Sequence, residues 1–203
     1  MEKSKLEILI DSVLDGTVGI ENLWQMYGDS IRSTDNITSE PEALALVGLY
    51  FRYGNKLDID GYFKDARDNY EGAYSALEKY KKVISEDQYN HAIEVILHSL
   101  ANVNFKLDNY KGALPYLKKL KNMFPRKDDY RQEYIGCLGS AIAKFTNPIY
   151  IIIAVLFLLK MGESYIFGTK YIPGWLIDAG WIIWIIMLII QFGLPWVMKR
   201  FMK

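Results

Sequence analysis

Chemistry-bearing residues are sparse in this chain, and their spacing limits what they can do. His91 and His98 are its two histidines, seven residues apart on one helical face. No Cys or carboxylate pattern joins them at ligand spacing, so they read as polar helix surface and no metal site is expected. Cys137, in "GCLGSA", is the single cysteine. It excludes an internal disulfide and implies no oxidising compartment. Its small-residue setting beside a hydrophobic run suits helix packing better than nucleophilic catalysis, with juxtamembrane acylation as the alternative. No Gly-rich phosphate loop, GxSxG elbow or HExxH is present. Neither an enzyme nor a bound cofactor is expected.

Asp178 is different, because it is the one charge in "WLIDAGWIIWIIMLIIQFGLPW", residues 175–196. An ionisable group within a membrane span is by default a functional-site hypothesis. It lies only three residues past Trp175, however, near the headgroups, where water is close and Lys160 or Lys170 is at hand to pair with it. A structural role is the expectation, since one acid on a two-span hairpin makes no ion pathway without oligomerisation.

Two hydrophobic runs follow a largely polar stretch. Residues 149–159 are eleven consecutive apolar side chains. Extended to residues 145–161, the run is about 25 Å long as a helix, against a bilayer core of about 30 Å. Lys144 and Lys160 can snorkel from its ends. Alternatively, a helix starting near Asp128 runs on into the membrane, with Pro148 at a kink. The second run, residues 175–198, makes a span of roughly 36 Å. Residues 162–173 connect the two. Tyr150, Tyr165, Tyr171, Trp175 and Trp196 fall where interfacial aromatics gather, and Lys/Arg residues flank the spans more densely than the connector. Both termini are therefore expected in the cytoplasm. The "NIT" at Asn36 is then a glycosylation sequon in form only.

Charge is graded along the chain. Residues 1–72 hold 14 acidic and 7 basic side chains, residues 73–144 hold 8 and 12, and residues 145–203 hold 2 and 5. A basic side next to hydrophobic runs points to an anionic membrane rather than nucleic acid. In "YLKKLKNMFPRK", Lys118, Lys119, Lys121, Arg126 and Lys127 are the candidate membrane-surface contacts, each worth about 1 kcal/mol near an anionic leaflet. The Ile, Lys, Asn and Tyr content suggests an AT-rich bacterial genome, and so an inner membrane.

The fold class expected is all-α. Residues 1–144 form a cytoplasmic helical domain, and residues 145–203 a two-span hairpin. "SKLEILIDSVL" has helical spacing ended by Gly16, and a second helix is expected over residues 20–31. Pro41 marks the first turn of a third helix running to about Gly54. "NKLDIDGY" reads as a connector, followed by a helix over residues 63–84. No sustained two-residue alternation suggests a strand.

"ILHSLANVNFKLDNYKGALPYLKKLKNMFP", residues 96–125, resembles a tetratricopeptide repeat, which spans about 94–127 here. Leu100 and Ala101 stand at that family's Leu-Gly pair, Ala113 at its helix-crossing small residue, Leu117 and Leu120 at core positions, and Pro125 at its close. "YEGAYSALEKYKKV", residues 70–83, echoes "YKGALPYLKKLKNM", residues 110–123, at a distance of 40, and Val47-Gly48 would be the matching pair of its leading helix. The resemblance implies a short array of helical hairpins with a groove for a protein or peptide. His98, Ser99, Asn102, Phe105 and Lys106 are the candidate groove residues. Asn102 matches a carboxylate-binding asparagine of the family, but "DDYRQEYIGCLG" lacks the basic cluster of a carboxylate clamp. The expected function is a membrane-anchored adaptor or scaffold, with a homo-oligomer as an open alternative to a monomer. Its rival is a membrane effector whose hairpin oligomerises to perturb the bilayer.

Overall fold

The computed structural model describes residues 3–162 and 174–193, and all the regular structure among them is helical, without a strand. The chain divides into two compact units, Met1–Arg126 and Lys127–Lys203. The boundary expected at residue 144 falls inside a single continuous helix.

In the first unit, α1 (Lys5–Leu14) starts where the Ser4 hydroxyl accepts the Glu7 amide, and the chain leaves it through Gly16 at φ 77°. α2 (Ile20–Arg32) is amphipathic and buries Leu23, Trp24, Gly28 and Ile31. Four longer helices follow: α3 (Glu40–Ile59), α4 (Phe63–Lys79), α5 (Glu86–Lys106) and α6 (Tyr110–Met123). They pack in chain order, α3 on α4, α4 on α5 and α5 on α6, as two successive hairpins.

Two helix ends differ from the sequence expectation. α3 runs through Gly54 to Ile59 because Gly54 is a packing position, not a cap. A Cβ there would lie 3.0 Å from the Tyr70 ring and 3.2 Å from the Ala66 carbonyl oxygen. The stop comes at Gly61, whose φ of 86° a residue without a side chain adopts at no steric cost. α4 stops at Lys79, not near Ile84, and Ser85 starts α5 in extended conformation.

The repeat length is also longer than the sequence echo suggested. The positive-φ residue between the helices is Gly61 in the first hairpin and Asp108 in the second, 47 residues on. In that register Ala66 corresponds to Ala113, Gly54 to Ala101 and Tyr70 to Leu117, and all six are buried. The small residue of the first hairpin is thus Gly54, not Gly48. The 40-residue echo matched side-chain types on the same helix face but about two turns out of register. Leu100, Leu117 and Leu120 are fully buried. Each such leucine contributes about 1.5–3 kcal/mol relative to exposure.

In the second unit, α7 (Asp128–Gly162) is 35 residues long and contains Pro148. That is the continuous alternative raised by the sequence, about 52 Å of helix. α8 (Gly174–Leu188) passes into a π-helical turn at Ile189–Gly193. Among the described residues one helix, α7, is long and apolar enough to cross a membrane, and Asp178–Gln191 is a shorter apolar helix. The expected pair of full-length spans is therefore reduced to one here. The second predicted run continues to residue 198, outside the described residues, as do most of the connector and the tail lysines.

Candidate functional site

α5 carries the candidate binding face. Ser85 begins it, Glu86 and Asp87 sit in its first turn and Lys106 in its last, charges that complement the helix dipole. Its buried side presents Ile93, Ile96, Leu97, Leu100 and Ala101 to the core. His91, Val95, His98 and Asn102 recur on the other side at helical spacing. His91 and Asn102 are exposed, Val95 is 38% exposed and His98 half-buried. Asn102 Nδ2 lies 3.3 Å from His98 Nδ1, so the two polar groups orient one another.

The other expected groove residues have different tasks. Ser99 hydrogen-bonds Tyr70 on α4. Burial pushes the Tyr70 phenol up to about 12, and the Asp58 charge adds to that. Lys106 reaches back to α3, with Nζ 2.7 Å from both Asp58 carboxylate oxygens, and lies 5.3 Å above the Phe63 ring. Phe105 packs edge-on against Tyr110 at 5.6 Å across the interhelix turn. Of the five, His98 and Asn102 face outward, Ser99 and Lys106 tie the two hairpins together, and Phe105 packs across the turn of the second.

Asn102 has a counterpart that sequence reasoning missed. Asn55 stands 47 residues earlier, at the equivalent place on α3, and is likewise exposed. Arg52, one turn before it, is also exposed. The leading helices of the two hairpins thus present asparagine at the same register position. The 47-residue spacing of the Gly61 and Asp108 turns is the offset that pairs them.

Of the basic run, Lys118, Arg126 and Lys127 are exposed and Lys121 is half-buried. Lys127 also lies 5.7 Å from the Tyr130 ring. Lys119 is also half-buried, at a joint between α6 and α4. Its Nζ donates to Glu78 Oε1 at 2.6 Å and Tyr74 Oη at 2.8 Å, while Tyr89 donates to the same Glu78 oxygen at 3.0 Å. Burial alone would raise the Glu78 carboxyl, but hydrogen bonds from Lys119 and Tyr89 outweigh it and hold the group below its ordinary range. Glu40 makes a similar long reach, accepting both the amide and the hydroxyl of Ser85 at the start of α5, and these bonds lower its carboxyl.

Beyond Pro148, the described helices of the second unit expose apolar side chains. α7 exposes Ile151, Ile152, Val155, Leu158 and Leu159, and α8 exposes Trp175, Ile182, Ile183, Ile185 and Ile186. Contacts between the helices run antiparallel. Ile153 lies beside Gly180, the Phe157 and Trp181 rings meet edge-on at 4.8 Å, and Thr146 Oγ1 is 3.5 Å from Gln191 Oε1. Trp181 and Trp184 form an edge-on pair at 5.5 Å. Asp178 is exposed in the first turns of α8, at the opposite end from Thr146 and Gln191. The polar residues that meet inside this unit are thus Thr146 and Gln191, which the sequence reading passed over. Tyr150, one turn along α7, keeps its hydroxyl buried without a partner among the described residues. Cys137 is buried, consistent with a packing role rather than an exposed thiol.

No group of three or more potential metal ligands occurs among the described residues. Comparison with protein-family models, curated proteins and solved structures finds no match.

Proposed function

We propose that this chain is a membrane-anchored adaptor whose tetratricopeptide-like helical hairpins bind a protein or peptide partner at the cytoplasmic face. The observation that carries the reading is the pair of exposed asparagines, Asn55 and Asn102, at one register position of successive leading helices. Asn104 is buried and spends its side chain on the Leu100 carbonyl of its own helix, whereas Asn55 and Asn102 are exposed, Asn102 braced by His98. Two exposed ones in phase are instead spaced to hydrogen-bond successive parts of one ligand. The apolar exterior of α7 and α8 supports lipid as the second partner. In this reading the hairpin crosses the bilayer twice, with both termini in the cytoplasm.

The test is a hairpin exchange combined with a change to the face. Replacing residues 145–203 with an unrelated two-span hairpin of the same orientation should preserve partner recruitment and cellular output. Asn55→Arg with Asn102→Arg should abolish recruitment while leaving helicity and the melting midpoint unchanged. Loss of output in the exchanged protein with recruitment intact, together with collapse of membrane potential by the natural hairpin, would make the tail an effector instead. The Thr146–Gln191 contact is what that rival would rely on, since buried polar side chains hold membrane helices in register.

A further inference from the structure

The two hairpins of the first unit meet along one line. α3 packs on α4 and α5 on α6, and α4 on α5 joins the pairs. Among the described residues, neither α3 and α5 nor α4 and α6 come together in that way. In cross-section the four helices therefore zigzag, with α3 and α5 in one row and α4 and α6 in the other. Within the α4–α5 contact, Ser99 hydrogen-bonds the buried Tyr70.

Long polar side chains bridge each row. In the α3–α5 row, Lys106 Nζ donates to both Asp58 oxygens at 2.7 Å. In the α4–α6 row, Lys119 Nζ donates to Glu78 at 2.6 Å and Tyr74 at 2.8 Å, and Tyr116 Oη lies 3.5 Å from Glu71 Oε1. The first bridge adjoins the candidate face. Asn55 stands about one turn before Asp58 on α3, and Asn102 about one turn before Lys106 on α5.

We propose that the two bridges are opposed latches on a hinge whose axis is the α4–α5 contact, and that together they set the separation of Asn55 and Asn102. The hairpins turn about that axis as rigid bodies. Whatever parts α3 from α5 then brings α4 and α6 together, and the reverse. Release of Asp58–Lys106 widens the face, and release of Glu78–Lys119 narrows it. The latches are suited to choosing between angles rather than freezing one. The Lys106 and Asp58 side chains are 44% and 17% exposed, and those of Lys119 and Glu78 are 36% and 34% exposed. Pairs this open bias an equilibrium by about fivefold at most. The proposal rests on the adaptor reading and supplies its regulation, since the width of the face decides how a ligand reaches both asparagines.

The experiment reads distances within the full-length chain in detergent micelles by dipolar spectroscopy, in a Cys137→Ala background. One spin-label pair, Arg52→Cys with His91→Cys, spans the face from α3 to α5. The other, Ser75→Cys with Lys118→Cys, spans the back from α4 to α6. All four positions are exposed. Asp58→Ala should lengthen the face distance, shorten the back distance and broaden both distributions about twofold, as release of a hinge does. Glu78→Ala should shift the two distances in the opposite senses. Lys106→Arg, which keeps the charge, should leave both as in the parent chain.

Unchanged distances in either alanine variant would overturn the proposal, even with a lower melting midpoint, because a merely structural tie lowers stability without moving the hairpins. Both pairs lengthening together would also overturn it, since that is general loosening and not rotation about a shared axis. So would shifts in the senses opposite to those given. The distances are read without any partner present, so the hinge and the adaptor reading fail separately.

Discussion

In the α3–α4 hairpin the chain turns at Gly61, where a φ of 86° meets no steric objection. In the α5–α6 hairpin the same place belongs to Asp108 at φ 54°. A side chain in that region is disfavoured, so the second turn needs additional support. It has it. Asn104, buried to 2% exposure, donates to the Leu100 carbonyl and accepts from Asn109 Nδ2 at 2.7 Å. The Asn109 side chain in turn accepts the Gly112 amide, capping α6. The first hairpin has Leu57 and Tyr62 at the equivalent positions and no such relay. It relies instead on close approach, with Gly54 against Tyr70 and Gly72 against Tyr50. One backbone plan is thus held by backbone contact in one case and by a side-chain hydrogen-bond chain in the other.

If the two hairpins are equivalent at their crossings, the same insult should hurt both. Ala66 and Ala113 are each 0% exposed at the crossing of their pair. Arginine at either position overpacks the contact and buries an unpaired charge, so Ala66→Arg and Ala113→Arg should each destabilise by about 3–5 kcal/mol. Thermal or denaturant unfolding of the first unit, followed by circular dichroism, measures it. A large loss at Ala113 with none at Ala66 would break the equivalence.

The glycines should separate the hairpins. Gly54→Leu drives a side chain into the Tyr70 ring and the Ala66 carbonyl, and a backbone oxygen cannot swing aside. A loss of about 3 kcal/mol is expected, at the upper end for overpacking. Gly112→Ala should be costly for a different reason. Its Cβ would stand 2.6 Å from Asn104 Oδ1 and 2.2 Å from Asn109 Nδ2, breaking the relay rather than a backbone contact. Double-mutant cycles with Asn104 distinguish the two. Gly112→Ala should couple to Asn104 and Gly54→Leu should not.

This difference also explains what could be read from the sequence. The second hairpin was legible because its closure lies in side chains: "NFKLDNYKGA" names the residues of the turn and cap in order. The helical class, the α1 and α2 boundaries and the apolar character of the second unit were legible too, from periodicity and composition. The first hairpin was misread because its closure lies in a missing side chain. Gly54 looks like a helix stop until Tyr70 is seen against it. The site was half legible for a related reason. Helical spacing puts His98, Asn102 and Lys106 on neighbouring faces, but only the packing of α3 and α4 shows that Lys106 is drawn to Asp58 and Ser99 to Tyr70. The joint made by Lys119 was not legible because its partners, Glu78 and Tyr74, lie 41 and 45 residues away.

The relay gives a smaller effect. Asn104→Leu keeps the branched shape but removes the acceptor of Asn109 Nδ2, and about 1 kcal/mol should be lost, the net worth of one part-buried hydrogen bond. Hydrogen exchange should localise the change to the Gly112 and Ala113 amides at the start of α6. Leu57→Asn in the first hairpin should bring no compensating gain, because Tyr62 has no amide to complete the relay. A gain there would show that the first hairpin is an unfinished copy of the second rather than a different solution.

The smallest effect concerns pH and the joint that spans both hairpins, Lys119–Glu78–Tyr89. Glu78 is held below its ordinary value of 4.5, with the Lys119 and Tyr89 hydrogen bonds outweighing the opposing effect of burial. A carboxyl depressed in the folded state contributes stability that is present above about 4.5 and lost as pH falls through the folded value. Lys119 is raised in turn, its hydrogen bonds to Glu78 and Tyr74 outweighing burial, and Tyr89 is pushed up to about 12 by burial and by Glu78. Groups raised in the folded state contribute below their unfolded values and lose that contribution as pH rises past 10. The joint should therefore hold best between about pH 5 and 10. Lys119 and Glu78 are each about a third exposed, so the pair contributes no more than about 1 kcal/mol. Glu78→Gln should shift the melting midpoint slightly at pH 7 and flatten its fall between pH 5 and 3. The same fall in wild type and Glu78→Gln would place the acid sensitivity elsewhere, with Glu40 and its bonds to Ser85 the next position to change.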